Sequence, residues 1–358
     1  MESRSFLLYG ANGYTGKLIA QLAVEYGLKP VLAGRRAEVL EPMAKELNTT
    51  YHVLDLNDTA KLESVLKEVP LVLHAAGPFK NTAKQMIDAC LKTHTHYIDI
   101  TGEIAVYEMA KKYNDAALKA GIMLMPGAGF DVVPTDCIAL VLKNKLPDAS
   151  ELKLAFASIG GGLSHGTALT MAEGMGEKSA ERKDGKIVRV PLGHKGMWVN
   201  FSAGSGGGVK KLFVMTIPWG DISTAYTTTG IPNIETYTGA SPKTFRLLKF
   251  QFLFNWLLRT SFMRNRQKKK INNKPSGPSD EKRAKSKGLV WGEVKNAKGQ
   301  IAQARLTGPD GYTLTAHTSL IITKKILDGN FKPGYQTPAG CYGADLILEV
   351  PGVTREIL

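Results

Sequence analysis

Apolar and polar residues alternate in two different periods along the first 130 positions of the chain. Short apolar runs have the length of buried strands, and the longer segments between them repeat apolar residues at helical spacing. The predicted strands are 6–9, 29–34, 51–56, 71–79, 96–100 and 122–125, and the predicted helices are 17–23, 37–47, 58–69, 81–93 and 104–120. This alternation is typical of an open parallel sheet with helices on its faces. We therefore predict an α/β domain that ends near residue 130.

The pattern changes after residue 150. Positions 150–240 are rich in Gly, Ser and Thr and contain short β-branched runs without regular intervening helices. This composition favours a mixed, largely antiparallel second domain. Farther along, 289–294 and 301–306 predict a β-hairpin, and 312–327 predicts a helix that completes this domain.

Three glycines at three-residue intervals, Gly10, Gly13 and Gly16, join the first strand to the first helix. Gly10 allows a sharp turn, Gly13 removes a side chain where backbone must approach a pyrophosphate, and Gly16 lets the helix pack close to the sheet. Free N–H groups at the start of the helix favour an anion. The spacing differs from the commoner G-x-G-x-x-G, so an ordinary glycine-rich turn is the alternative. The strand–turn–helix context favours a dinucleotide-binding, Rossmann-type fold.

The second predicted strand ends in Arg35-Arg36, where a dinucleotide would place its adenosine ribose. An acidic residue there binds the 2′-hydroxyl of NAD, whereas arginine accommodates the 2′-phosphate of NADP. No Asp or Glu stands at this strand end, so the sequence favours NADP, with a solvated Arg pair as the alternative. Small residues after the fourth strand leave room for a cofactor at the sheet edge. The residues expected at the cofactor are Gly10, Asn12, Gly13, Tyr14, Thr15, Gly16, Arg35, Arg36, Asp55, Ala75, Ala76, Gly77 and Pro78.

Length and charge limit the class of protein. The chain has 358 residues, 43% hydrophobic and 22% charged, which suits a soluble globular protein of two domains. The formal net charge is +14, and ten Lys and Arg against two acidic residues between positions 264 and 287 supply eight of these charges. Because the excess is concentrated in one segment, a nucleic-acid partner is not indicated.

The cysteines and histidines indicate neither disulfides nor a metal. Cys90, Cys137 and Cys341 are odd in number and far apart, which favours a reduced, cytoplasmic protein. The first strand begins so close to Met1 that we expect no signal peptide. The histidines show no metal-ligand spacing, so we predict no metal site.

Further motifs extend along the chain: Ala33-Gly34-Arg35, Ala76-Gly77-Pro78-Phe79, 97–103 (YIDITGE), 127–136 (GAGFDVVPTD), Trp291-Gly292-Glu293, Gly311-Tyr312 and 336–339 (QTPA). Together with the loop at 10–16, they resemble the saccharopine dehydrogenase-like family, and within it the trans-acting enoyl reductase-like branch. The resemblance covers nearly the whole chain. It implies an NADP-binding Rossmann domain at 1–130, an inserted α+β substrate or dimerisation domain at 131–330, and a C-terminal segment at 331–358 that returns to the first domain.

The resemblance also implies an NADP-dependent oxidoreductase acting on a small molecule. Members of the family reduce imines of amino acids or carbon–carbon double bonds of lipid precursors, so the expected substrate is lipid-like or amino-acid-derived, with a C=C or C=N bond. An NADP-binding regulator or redox sensor without turnover stays open as the alternative, because no catalytic residue is assigned.

Three residues are candidates for the chemistry beyond hydride transfer. A reduction also needs a proton donor, and Asp131 and Asp136 follow the sixth strand. Helix capping is the alternative role for both. His165 lies in a glycine-rich segment that could close over the nicotinamide, or it could be a solvated histidine in a flexible connection. Tyr107 and Lys111 match the spacing of a short-chain dehydrogenase pair, which we interpret as a chance match on an exposed helix face.

Residues 245–263 form an apolar segment in which five polar or basic side chains fall on several sides of a helical wheel. Interior cations argue against a bilayer-spanning helix. We expect a helix buried in the core or in a homodimer interface. The alternative is peripheral contact of 243–270 with a membrane surface, assisted by the lysines at 268–270.

Overall fold

The computed structural model describes residues 4–204, 208–273 and 275–358. Met1, near which the first strand was expected to begin, and Lys274, one of the ten basic residues between positions 264 and 287, lie outside the described residues. By its internal contacts the chain divides into two compact units. The first unit comprises Met1–Val133 and Tyr312–Cys341, and the second comprises Pro134–Gly311 and Tyr342–Leu358.

Strands and helices are numbered in chain order. The strands are β1 (Ser5–Tyr9), β2 (Lys29–Gly34), β3 (Tyr51–Val53), β4 (Leu71–His74), β5 (His96–Asp99), β6 (Met123–Met125), β7 (Ala149–Ile159), β8 (Ser179–Lys183), β9 (Lys186–Val190), β10 (Gly196–Ser202), β11 (Val209–Thr216), β12 (Asn233–Gly239), β13 (Lys287–Asn296), β14 (Ile301–Pro309), β15 (Gly334–Tyr335) and β16 (Thr354–Ile357).

The α-helices are α1 (Tyr14–Leu22), α2 (Ala37–Glu46), α3 (Thr59–Leu66), α4 (Ala83–Thr93), α5 (Ile104–Lys112), α6 (Asn114–Ala120), α7 (Val133–Lys145), α8 (His165–Glu173), α9 (Asp221–Thr229), α10 (Pro242–Leu248), α11 (Asn255–Leu258), α12 (Ser261–Asn272), α13 (Asp280–Ala284), α14 (Gly311–Leu327) and α15 (Pro338–Tyr342). Short 3₁₀ helices cover Ala23–Tyr26, Phe79–Asn81, Gln251–Leu253 and Leu346–Glu349.

A parallel sheet forms the centre of the first unit. Among the described residues it has seven strands in the order β15-β6-β5-β4-β1-β2-β3, and every pair is parallel. The predicted parallel sheet is therefore confirmed, and β15 adds a strand from the far end of the chain. The strand order reverses beside β1, which pairs with β2 on one side and β4 on the other. Such a reversal opens a crevice at the carboxyl ends of the strands.

The helices of the first unit largely follow the predicted pattern. Asp58 caps α3 by accepting a hydrogen bond from the Lys61 N–H at 3.1 Å, and the buried face of α3 carries Leu62 and Leu66. The single helix predicted at 104–120 is wrong: the chain forms α5 and α6 instead, with a break at Tyr113. The backbone of Tyr113, at φ −90° and ψ 2°, leaves the helical region and separates the two helices.

Helix α14 belongs to the first unit. The Thr318 hydroxyl donates to the Ala128 carbonyl at 2.8 Å, and the Phe130 N–H donates to the Thr315 hydroxyl at 2.9 Å. These bonds join α14 to the loop after β6. The predicted domains divide the chain differently, since 131–330 includes this helix in the second domain. The C-terminal residues Tyr342–Leu358 belong to the second unit, where β16 pairs with β14.

The second unit is built on a mixed sheet. Within the described residues its main path is β10-β11-β12-β7-β13-β14-β16, with β8 and β9 joined at β12. Strands β12 and β7 pair in parallel, whereas the other pairs in this sheet are antiparallel. The predicted mixed, largely antiparallel domain is therefore confirmed. The predicted hairpin is also present and extends over β13 and β14.

The expectation of a buried helix at 245–263 is wrong for the core of this chain. The segment is broken into α10, a 3₁₀ turn, α11 and the start of α12, and none of these elements contains a buried residue. The physical reason lies in the sequence pattern. Polar side chains interrupt the apolar residues on several sides, so no single helix could bury its apolar residues while keeping the polar ones in water.

Across the part of the chain that is described, no helix combines the length and the apolar character needed to cross a bilayer.

Close packing in the second unit predicts a stability effect at Gly292. A Cβ there would lie 2.4 Å from Ile138 Cγ2 and 2.8 Å from Leu142 Cδ1, both on α7. We expect Gly292→Ala to lower the free energy of unfolding by about 1–3 kcal/mol, because α7 must move away from β13. Denaturant unfolding of the two proteins measures this difference.

The matched control is Gly174→Ala, where the nearest atoms to a new Cβ are 3.7 Å away, at ordinary contact distance. Equal destabilisation by both substitutions would contradict the packing explanation.

Candidate cofactor and catalytic site

The glycine loop lies where β1 ends and α1 begins. Gly10 has a φ of +88°, and a Cβ on it would lie 2.8 Å from the Ala75 carbonyl carbon and the Ala76 nitrogen. A Cβ on Gly16 would lie 2.2 Å from the Gly10 carbonyl oxygen. Neither position can accept a side chain without a shift of backbone. The loop is therefore held against the end of β4 and against its own helix.

Gly13 is the N-cap of α1. Its backbone is extended, with φ −78° and ψ 166°, and a Cβ would lie 3.2 Å from the Gly10 oxygen. The first turn of α1 contains Tyr14, Thr15 and Gly16 and no acidic residue. The N–H groups of such a turn, with no carboxylate beside them, favour an anion.

The two arginines after β2 are both exposed. With the Asn12 amide oriented to satisfy its neighbours, its oxygen accepts from Arg36 Nη2 at 2.8 Å and Nε at 3.2 Å. Asn12 also lies against β2, since a Cβ on Gly34 would be 2.6 Å from the Asn12 Oδ1 position. The structure thus brings Arg36 to the glycine loop. Arg35 lies close enough to Tyr9 to oppose the rise in the pKa of that phenol, which burial lifts to about 12.

Asp55 follows β3, and its carboxylate accepts from the backbone N–H and the side-chain amide of Asn57, each at 2.9 Å. It is exposed, and its negative charge contributes to the raised pKa of Tyr9. The end of β3 is therefore brought near the same sheet edge as Arg35. The small residues Ala75, Ala76, Gly77 and Pro78 follow β4 directly, which leaves this edge free of large side chains.

Acidic side chains join the loops that follow β4, β5 and β6. The Glu103 carboxylate accepts from the Phe79 N–H at 2.8 Å and the Lys80 N–H at 3.0 Å. The Asp99 carboxylate accepts from the N–H groups of Thr101 and Gly127, each at 2.9 Å. Burial raises the pKa of Asp99 to about 6, although these hydrogen bonds oppose the rise. The loops at this edge are therefore tied to one another.

The side chains of His74 and Tyr107 are buried and make packing and hydrogen-bond contacts within the first unit. His74 is fully buried, and burial lowers its pKa to about 3, so the ring stays neutral among the aromatic rings of Tyr9, Phe79 and Tyr97. The Tyr107 hydroxyl is buried and donates to the Thr101 carbonyl. The exposed helix face expected for Tyr107 is therefore wrong, because α5 turns this residue toward the loop after β5.

Asp131 lies in the loop between β6 and α7. Its carboxyl covers the backbone of Gly102, where a Cβ would be 2.7 Å from Asp131 Oδ2. Burial, together with the smaller effect of the negative charge of Glu103, raises the pKa of Asp131 to about 7. A carboxyl with this pKa can hold a proton near neutral pH, as a general acid must.

The other two candidates belong to the second unit. Asp136 lies in α7 and accepts a hydrogen bond from the Thr228 hydroxyl at 2.6 Å, and it is fully buried. His165 is the first residue of α8, after the N-cap Ser164, and its backbone N–H donates to the Ser276 carbonyl at 2.9 Å. The first unit alone thus contains Asp131 and the predicted cofactor residues.

Two residues at the site escaped the sequence reasoning. Glu103 ends the 97–103 motif and is the N-cap of α5. An acidic residue at a helix start is a signal that could have identified it as a hydrogen-bond acceptor for loop backbone. Tyr312 lies in the first turn of α14, and its ring makes an edge-to-face contact with the ring of Tyr14, with 5.0 Å between the ring centroids. That contact joins positions nearly 300 residues apart, for which the local pattern contains no signal.

These residues fit a phosphorylated dinucleotide. The loop backbone at Gly10 and Gly13 and the first turn of α1 could hold a pyrophosphate, because a side chain on either glycine would crowd the backbone there. Arg35 and Arg36 could hold a 2′-phosphate, and Asn12 already orients Arg36 toward the loop. The small residues at 75–78 could accommodate the rest of the cofactor.

Comparisons with known proteins find similarities for much of the first unit. Residues 6–125 match the family model of the saccharopine dehydrogenase NADP binding domain. A saccharopine dehydrogenase-like oxidoreductase of Rattus norvegicus is 30% identical over 209 residues, 51% of this chain and 49% of the rat protein. A trans-acting enoyl reductase of Mycobacterium leprae (strain TN) is 32% identical over 145 residues, 38% of this chain and 35% of its own length. The chain spans at most about half the length of these two relatives.

A solved structure extends the likeness in fold to nearly the whole chain. Apo saccharopine dehydrogenase (L-Glu forming) from Saccharomyces cerevisiae matches with a TM-score of 0.68 and 14% identity, covering 99% of each chain. At this identity the match shows the fold alone. The chain thus has the fold of saccharopine dehydrogenase, and its residues 6–125 match the family model of the saccharopine dehydrogenase NADP binding domain.

Proposed function

We propose that this chain is an NADP-dependent oxidoreductase that reduces a C=C or C=N bond of a lipid-like or amino-acid-derived small molecule. The observation that carries the proposal is the glycine loop, in which Gly10 and Gly16 leave no room for a side chain and Asn12 holds Arg36 beside the loop. Asp131, a carboxyl with a raised pKa in the same unit, is the candidate proton donor. The names of the rat and mycobacterial relatives support an oxidoreductase, one of them an enoyl reductase.

The roles of the residues follow from their positions. The glycine loop and α1 bind the pyrophosphate, and Arg35 and Arg36 bind the 2′-phosphate. NADPH, when bound, supplies the hydride. The Asp131 carboxyl donates its proton to the substrate atom that gains the electron pair of the double bond, and solvent returns a proton to the carboxylate. His165 is a further candidate for substrate contact.

Turnover separates this proposal from the alternative of an NADP-binding regulator. Purified protein is mixed with NADPH and a panel of enoyl thioesters, imines and carbonyl compounds, and NADPH oxidation is followed by its absorbance. We expect oxidation with at least one enoyl or imine compound. Tight NADPH binding without oxidation of any compound would favour the regulator.

Gly13→Val tests the pyrophosphate site. The extended dihedral angles of Gly13 suit any residue, and the Gly10 oxygen, 3.2 Å from a new Cβ, must shift by only a few tenths of an ångström. We therefore expect the protein to fold, whereas a branched side chain would block the anion at the start of α1. NADPH binding, measured by titration of cofactor fluorescence, should be abolished. Gly174→Ala should bind normally. An unchanged affinity in Gly13→Val, with normal thermal unfolding, would show that the loop has another role.

Arg35→Ala and Arg36→Ala test the choice of cofactor. A charge-assisted pair with the 2′-phosphate should make NADPH bind at least about tenfold more tightly than NADH. Each substitution should remove most of that preference, and Arg189→Ala, at an exposed strand arginine, should leave it intact. Equal affinities for both cofactors in the unmodified protein would contradict the assignment.

Asp131→Asn tests the proton donor. The substitution should lower turnover by about a hundredfold or more while NADPH affinity stays unchanged. Because the donor must be protonated, turnover of the unmodified protein should fall as the pH rises through about 7, and the Asn variant should lose this dependence. Asp115→Asn, at an exposed position, is the matched control. Full activity of Asp131→Asn would exclude this role.

Stability gives a readout for Asp131 that needs no substrate. The folded state raises the pKa of Asp131 from the ordinary value of 3.8 to about 7, so it binds this proton more tightly than the unfolded chain does. The free energy of unfolding should therefore fall as the pH rises from about 4 to about 7. Asp131→Asn should therefore gain stability relative to the unmodified protein at pH 8 compared with pH 5. A constant difference would show that the carboxyl ionises normally.

A further inference from the structure

Residues 241–273, here called the aromatic–basic segment, expose an unusual number of large apolar side chains. Leu247, Phe252, Trp256 and Phe262 are each between 68% and 73% exposed. Every exposed Phe and one of the two exposed Trp residues among the described residues lie in this segment. The exposed apolar residues are Leu247, Phe250, Phe252, Leu253, Phe254, Trp256, Leu257 and Phe262. Single exposed apolar residues are normal, whereas a cluster of this kind marks an interaction surface.

The segment is anchored to the second unit through its polar side. Arg259 donates to the Gly176 carbonyl at 2.9 Å, Arg264 pairs with Glu177 at 2.8 Å, and Lys268 pairs with Glu173 at 3.2 Å. These contacts hold the short helices at the end of α8. Polar side chains of the segment therefore contact the second unit, while its apolar side chains face away from it. A helix that packs on a core has the opposite arrangement.

The polar group of the Trp256 indole is satisfied within the segment. Its N–H donates to the Leu253 carbonyl at 3.1 Å, so the ring can enter an apolar phase without an unsatisfied donor. Tryptophan and other large apolar side chains are typical of the boundary between water and lipid. The aliphatic side chains of Leu247, Leu253 and Leu257 also favour hydrocarbon over nucleic-acid bases, which stack on aromatic rings.

The charged residues of the segment itself are all basic. Positions 241–279 contain no Asp or Glu. Six exposed cations make no ion pair within the described residues: Lys243, Arg246, Lys249, Arg266, Lys269 and Lys270. A second copy of the chain would bring this surface against itself and oppose like charges, because a two-fold interface is self-complementary. An anionic partner is complementary to it.

We propose that the aromatic–basic segment docks this chain on an anionic phospholipid surface. The Phe, Trp and Leu side chains enter the interface, and the six cations contact the head groups. The docking is peripheral, and it does not depend on the reaction proposed above.

Co-sedimentation of the full chain with vesicles tests this proposal. Phosphatidylcholine vesicles are compared with phosphatidylcholine–phosphatidylserine vesicles at about 0.1 M and about 1 M salt, where the Debye length is about 10 and 3 Å. We expect binding to the mixed vesicles at low salt, and binding weaker by at least about tenfold to the neutral vesicles and at high salt. Protein that stays in the supernatant throughout would overturn the proposal.

Two variants separate the apolar and the charged contributions. Phe252→Ser with Trp256→Ser should weaken binding to mixed vesicles by at least about tenfold. Replacing Arg266, Lys269 and Lys270 by Gln should weaken it by about a hundredfold. Because all five side chains are exposed, thermal unfolding should be unchanged.

The matched controls lie elsewhere on the surface. Leu118→Ser removes an exposed apolar side chain and Lys298→Gln an exposed cation, and both should bind like the unmodified protein. Equal loss in the controls, or full binding by the Phe252→Ser, Trp256→Ser variant, would contradict docking by this segment. Binding of a single-stranded oligonucleotide that needs the same residues, without vesicle binding, would assign the surface to nucleic acid instead.

Discussion

At the end of β1, backbone lies directly against backbone, and the first unit depends on this contact. A Cβ on Gly10 would lie 2.8 Å from the Ala75–Ala76 peptide, and one on Gly16 would lie 2.2 Å from the Gly10 oxygen. The absence of these side chains allows α1 to start at the carboxyl edge of the sheet and lets β4 follow close beside β1. The same approach exposes the first turn of the helix to an anion. Packing and cofactor binding therefore impose the same residue type at these positions.

The electrostatics of the edge depends on the loops being held together. Glu103 accepts from the backbone after β4, and Asp99 accepts from the backbone after β5 and β6. Each hydrogen bond to backbone satisfies a carboxylate oxygen, and those made to Glu103 hold its negative charge close to Asp131. Glu103 and burial both disfavour ionisation of Asp131. The residue that holds a loop in place is thus also one that raises the pKa of the neighbouring carboxyl.

The sequence could predict what depends on local pattern and could not predict what depends on distant contacts. The parallel sheet follows from the strand and helix periods. The glycine loop follows from Gly10, Gly13 and Gly16, whose spacing between a strand and a helix requires residues without a side chain. The break at Tyr113, the pairing of β15 with β6 and the contact between Tyr14 and Tyr312 depend on tertiary packing, which overrides local propensity. The pKa of Asp131 likewise depends on Glu103, 28 positions earlier in the chain. A sequence motif shows which residues are present, whereas the pKa shift depends on how far apart their side chains lie in the folded protein.

The aromatic–basic segment shows how a pattern can be apolar without belonging to a core. Burying a Phe or Leu side chain contributes about 1.5–3 kcal/mol, so a chain that could cover eight such residues with its own core would be expected to do so. Here the interrupting Arg, Lys, Gln and Asn side chains prevent any helical face from being wholly apolar. Each burial would take a charged or amide group with it, at a cost comparable to the gain. The phospholipid surface proposed above would resolve this conflict, because long basic side chains would reach the head groups while the rings beside them enter the apolar layer.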